Sequence, residues 1–130
     1  MANYQGVYRT NYFKVIDEDV YQKLIDEVQT VNDFNDFTLV TEDKQILHGF
    51  GGQSIFSYPG GEENFFKALK KIIPDNEVFI MVESGHAELD YITGNVTVVT
   101  KSSIKYSSLI KMYETFCQEL GIKSFITPYY

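Results

Sequence analysis

The sequence predicts an α+β fold: a mainly antiparallel sheet with a central three-strand meander and about three amphipathic helices packed on it. Three observations lead there. Residues Val78 to Lys101, VFIMVESGHAELDYITGNVTVVTK, form a β-branched and apolar series interrupted by Ser-Gly and Gly-Asn, dipeptides that fold strands back on themselves. Elsewhere three segments repeat apolar residues at helical spacing. Finally, 130 residues suffice for one core and are too few for two, so residues 1–130 are read as a single domain.

In chain order, Tyr4 to Ile16 alternates aromatic and β-branched residues and reads as a strand. Asp17 to Asp19 place acids where a helix N-terminus favours them. Val20, Leu24, Val28 and Val31, supported by Tyr21 and Ile25, then mark one face of a helix reaching about Thr30. FTLVT and QILHGF form a hairpin closed around Glu42, Asp43 and Lys44. Five of the nine glycines fall between Gly49 and Gly61; they suggest a bend or bulge near Gly49 to Gly52 and a short strand from Ser54 to Tyr58. Glu62 and Glu63 open a second helix with Phe65, Phe66, Leu69, Ile72 and Ile73 on its buried side, stopped by Pro74. Ser107 or Ser108 caps a third, whose Leu109, Tyr113, Phe116, Cys117 and Leu120 share a face and whose C′ residue is Gly121. The apolar tail IKSFITPYY is expected to dock as an extended segment.

If Ser84-Gly85 and Gly94-Asn95 are two-residue loops, every meander side chain is assigned to a face. Val78, Ile80, Val82, Ala87, Leu89, Tyr91, Val96 and Val98 then form an apolar core face. Phe79, Met81, Glu83, His86, Glu88, Asp90, Ile92, Thr97, Val99 and Lys101 form a mixed one. Such a mixed face is either the solvated side of an antiparallel sheet or a recognition surface.

The charge is uneven. Asp17 to Asp43 carry nine carboxylates against Lys23 alone, a local balance of -8 within a total of -7. Such a field repels phosphate backbones and attracts basic surfaces, so direct nucleic-acid binding through this face is not expected. No apolar run approaches the ~20 residues of a membrane helix, and the start lacks a signal-peptide pattern. With a single cysteine, Cys117, these features predict a soluble, cytoplasmic protein from a reducing compartment.

Specific chemistries fare poorly. HGFGG at His48 to Gly52 is not followed by a helix or by Lys and Ser or Thr, as a phosphate loop requires. No serine lies in a G-x-S-x-G elbow, and Cys117 sits among apolar helix positions. His86 and Glu88 share a strand face, and a metal site would need His48 or Glu83 to converge with them. No catalytic residue, metal ligand or cofactor is therefore assigned.

The opening VYRTNYFKVIDEDVYQKL, the HGFGG turn and the E-S-G-H connection together resemble small acidic proteins carried on bacterial plasmids, conjugative elements and phages. The similarity runs over most of the chain, and its motifs are structural. Other small proteins from that genetic context are anti-CRISPR or antirestriction inhibitors. The resemblance implies a non-enzymatic, nucleic-acid-mimicking inhibitor of a host defence nuclease, a CRISPR effector or restriction enzyme. Its expected contacts are Asp19, Asp26, Glu27, Asp33, Asp36, Glu42 and Asp43, with Phe79, Met81, Glu83 and Glu88 as further anchors. The alternatives are a small-molecule or peptide-binding module using Gly49 to Gly61 with Phe50, Phe56 and Tyr58, and a metal-dependent hydrolase built on His48, His86 and Glu88.

Overall fold

The computed structural model describes residues 5–28, 34–87 and 91–124. It is an α+β fold: six antiparallel strands and three helices, in the order β1 (Gln5–Thr10), α1 (Glu18–Asp26), β2 (Asn35–Val40), β3 (Ile46–Gly52), α2 (Glu62–Lys70), β4 (Phe79–Ala87), β5 (Tyr91–Val99), β6 (Ile104–Ser108) and α3 (Leu109–Glu119). The strands form one sheet in the spatial order β2-β3-β1-β4-β5-β6.

Local chemistry explains most of the element ends. The Asp17 side chain accepts from the Val20 N–H and caps α1, and Ser108 does the same for α3 through the Lys111 N–H. The α3 C-terminus closes on Gly121 at φ 76°. There the Ile122 N–H donates to the Cys117 carbonyl and the Gly121 N–H to that of Gln118, a Schellman arrangement that favours glycine. Beyond β1 the chain leaves the ladder, and Asn11 takes over the pairing with its amide. Its Nδ2 donates to the Val78 carbonyl at 2.9 Å, and its Oδ1 accepts from the Ile80 N–H at 2.8 Å.

The inner face of the sheet carries Tyr8, Phe50, Phe79, Met81 and Val99, and α1 and α2 cover it with Tyr21, Leu24, Ile25, Phe65, Phe66 and Leu69. Phe50 is the hub of an aromatic cluster, with its ring 5.5 to 6.3 Å from those of Phe34, Phe65, Phe56, Phe79 and Tyr8. Two of these pairs, with Tyr8 and Phe65, meet edge to face, the geometry that the ring quadrupole favours.

Three expectations are corrected. First, the central meander is one long hairpin: β4 runs straight through Ser84-Gly85, β5 through Gly94-Asn95, and Ser84 is the cross-strand partner of Gly94. The third strand is β6, beyond Lys101. A glycine-containing dipeptide permits a turn without requiring one; Gly94 instead makes room for α3, since a Cβ there would lie 2.9 Å from Leu109 Cγ. Second, the faces are inverted. Phe79, Met81 and Val99 are fully buried while Val82 is 54% exposed and Ile80 half-buried. Ala87 shares the face of Phe79, whereas His86 and Ile92 lie on that of Val82. Both faces of residues 78–82 are apolar, so a period of two cannot orient them, and the helix aromatics meet the bulkier set. Third, α3 buries none of its residues, so Leu109, Phe116 and Leu120 are exposed and Cys117 is only partly covered. In addition, Ser54 to Tyr58 is not a strand, and Gly49 to Gly52 continue β3 without bending away from it. Val31, Leu89 and the end of the tail, residues 125–130, lie outside the described residues.

Candidate functional site

Two of the acidic elements, α1 and the edge strand β2, meet around Tyr21. Carboxylates at the two ends of α1 hold it in place: Glu18 Oε2 lies 2.6 Å from His48 Nε2 on β3, and Glu27 Oε2, at the helix C-cap, accepts from the hydroxyl of Tyr58, in the segment before α2, at 2.7 Å. Asp36, on the inner side of edge strand β2, is the cross-strand partner of Phe50. Tyr21 of α1 sits between these groups with its ring 4.4 Å from that of His48. Burial, then the charge of Asp36, then that of Glu18 push the Tyr21 phenol well above the ordinary tyrosine range. Two carboxylates 18 positions apart in sequence thus act on one ring. Burial and the bond to Glu27 likewise push Tyr58 up to about 12.

Asp19, Asp26, Glu27, Asp36, Glu42 and Asp43 are all exposed. Glu42 and Asp43 sit at the tip of the β2–β3 hairpin, just beyond the Thr38–His48 pair, where Asp43 accepts from the Thr41 hydroxyl. Asp33 and Glu88 lie outside the described residues. Phe79 and Met81, expected as apolar anchors, are wholly buried and cannot touch a partner; they belong to the inner face because α2 packs there.

Glu83 occupies a site of its own. On the inner face, in phase with Phe79 and Met81, it reaches beyond the cover of α2 into a cavity of about 220 Å³ whose lining includes Gly6, Ser54, Phe56, Glu62, Thr93 and Asn95. Glu83 hydrogen-bonds Glu62 at the start of α2; burial, then the Glu62 charge, raise its carboxyl to about 7, and burial raises Glu62 as well. Two carboxyls in hydrogen-bond contact ionise together only at high cost, so the pair shares one proton below about pH 7 and gives it up above. Glu83 Oε2 and Ser54 Oγ are buried without a hydrogen-bond partner among the described residues. Gly6 lets residues 54–55 cross close over β1, for a Cβ there would lie 3.3 Å from Ile55 Cγ1. Sequence reasoning passed over Glu62 and Ser54. The available signal was a carboxylate at Glu83 in register with Phe79 and Met81, readable once the inner face is known.

The histidines do not converge. His48 is on the inner face of β3, held by Glu18 and Tyr21, and His86 on the outer face of β4, with β1 between the two strands. Glu83 is therefore not on the face of His86 either. Lys101, expected on the same face as Glu88, pairs with Asp75 at 3.6 Å. Among the described residues no three metal-ligating side chains cluster, and no helix is long and apolar enough to cross a membrane. Comparison with protein-family models, with curated proteins and with solved structures finds no match to this chain.

Proposed function

We propose that the protein is a non-enzymatic binding protein whose α1–β2 surface engages a basic surface of another protein in place of nucleic acid. The supporting observation is that Glu18 of α1 and Asp36 of β2 both act on Tyr21, so the helix and the edge strand bring acidic residues near one another, and Asp19, Asp26, Glu27, Asp36, Glu42 and Asp43 are exposed. The clamps to His48 and Tyr58 fix α1 in place, so its charges are presented without the entropy loss of ordering a loose segment. The resemblance to small acidic proteins of mobile genetic elements makes a host defence nuclease, a CRISPR effector or restriction enzyme, the first target to test. Pull-down against such nucleases should yield a complex at low salt that weakens steeply at high salt. Reversing Asp26, Glu27 and Asp36 to lysine should abolish it. Binding indifferent to both salt and these reversals would reject the electrostatic reading.

The Glu62–Glu83 cavity supports a second reading, a small-molecule site formed partly by the glycine-rich segment, since it leaves buried acceptors unsatisfied. A small amine or divalent cation would replace the shared proton there. Thermal shifts with such cations at pH 8 that vanish in Glu83→Gln would establish it; no shift with any of them would remove it.

A further inference from the structure

No lysine, arginine or histidine lies among the described residues that line the Glu83 cavity. Two of its oxygens, Glu83 Oε2 and Ser54 Oγ, are buried without a hydrogen-bond partner, and Glu62 meets Glu83 from the start of α2. Buried acceptors are ordinarily paired, so each of these calls for a donor. Two neighbouring polar groups are engaged within the sheet. Asn95 Oδ1 accepts from the Tyr106 hydroxyl at 2.8 Å, and the Thr93 hydroxyl donates to the Gly85 carbonyl at 3.4 Å. On α2, Lys67 pairs with Glu63 at 3.4 Å. The cavity holds about 220 Å³, more than the roughly 150 Å³ that accommodates benzene. Phe56 lines it as a buried apolar wall, and Ile55, 60% exposed, places its mouth at the surface.

We propose that this cavity binds a small primary amine as its ammonium ion, held by Glu83, Glu62 and Ser54 with its hydrocarbon part against Phe56 and Ile55. The proposal rests on the reading of the cavity as a small-molecule site and names the ligand. An ammonium brings three N–H donors and no acceptor, one donor for each of those three side chains, and it is attracted to the face of an aromatic ring. A divalent cation takes about six oxygen ligands, whereas no three metal-ligating side chains cluster among the described residues. Proton and ammonium compete for the same carboxylates. Around Glu83, β1, β5, residues 54–56 and α2 bring Glu62 and the Tyr8 phenol as the titrating groups among the described residues. Burial, then the Glu62 charge, raise Glu83 to about 7. Above that pH the two carboxylates repel and turn to the ammonium; below it the proton displaces the ligand.

Isothermal titration of the full chain at pH 8 tests this with benzylamine, with benzyl alcohol as its uncharged counterpart, and with magnesium chloride. Benzylamine should bind one to one, and about tenfold or more weaker at pH 5.5. Glu83→Gln should abolish binding. Ser54→Ala, which leaves both carboxylates in place, should weaken it about three- to tenfold; circular dichroism checks that both variants are folded. Magnesium binding that needs Glu83, with none for benzylamine, would keep the cavity as a cation site and overturn the amine. Benzyl alcohol binding as tightly as benzylamine would mean an apolar cavity alone. Benzylamine binding that survives Glu83→Gln would place it elsewhere on the acidic surface, and either result overturns the proposal. No binding by any of the three removes both the amine and the cavity reading beneath it.

Discussion

The two faces of the same sheet are built from the same kinds of residue and have opposite fates. On the inner face Phe79 and Met81 of β4 are sealed under α2, within reach of Phe50, Phe65 and Phe66. On the outer face Ile80 and Val82 of the same strand, one position out of phase, face no helix. Apolar alternation therefore does not decide which side of a strand becomes interior. Partners do: the aromatic side chains of the inner face interlock with those of α2, while Ile80 and Val82 share the outer face with Arg9, His86 and Lys105.

The largest expected effect breaks the inner face. Phe50→Ala removes the ring that contacts five other aromatic side chains and leaves a cavity among fully buried groups. It should cost about 3–5 kcal/mol in a urea titration. The matching change on the outer face, Val82→Ala, should cost no more than about 0.5 kcal/mol. Similar losses at both positions would mean that the two faces do not differ as described.

That asymmetry also shows what the sequence made legible. The starts of α1 and α3 and the close of α3 followed from local chemistry, because Asp17, Ser108 and Gly121 act on their immediate neighbours, whereas α1 ends at Asp26, short of the expected Thr30, and α2 at Lys70, before Ile72 and Ile73. The fold class and the apolar sides of α1 and α2 followed from periodicity. The orientation of β4 did not, since Val78 to Val82 is apolar on both faces and its resolution depends on Phe65 and Phe66, more than ten residues upstream. The hairpin register failed for a related reason: Gly85 and Gly94 answer to tertiary contacts, Gly94 to the approach of Leu109. Of the candidate site, the acidic residues were legible as a block, while the meeting of Glu18 and Asp36 at Tyr21 required the β2–β3 pairing. The Glu62–Glu83 contact joins residues 21 positions apart and could follow only once the inner face was assigned.

A smaller effect lies at the edge of the inner face, where the packed layer opens to the Glu83 cavity. Folded Glu83 keeps its proton up to about pH 7, whereas the unfolded chain releases it near 4.5. Between those values folding takes up a proton, so the stability this group contributes at low pH falls as pH rises and is lost above 7. Glu83→Gln retains a hydrogen-bonding group and no longer titrates. It should match the natural chain near pH 5 and be more stable at pH 8 by about 1–2 kcal/mol, after discounting for partial exposure. Thermal melts across this range check the difference, and parallel pH profiles would remove the shared proton.

The smallest effect separates the two regions most sharply, because it applies one chemical change to a helix of each kind. Asp17 and Ser108 cap α1 and α3 through the same bond, a side-chain oxygen accepting from the N–H three residues on. Replacing either by alanine forfeits about 1 kcal/mol of helix stability. In α1, whose Tyr21, Leu24 and Ile25 are part of the core, the loss from Asp17→Ala must appear in global unfolding. Among its described residues α3 has none buried to couple it to that core. In α3, Ser108→Ala should leave the melting temperature unchanged and accelerate amide exchange only within 109–119. A global loss from Ser108→Ala equal to that from Asp17→Ala would show that α3 is held by the rest of its own chain.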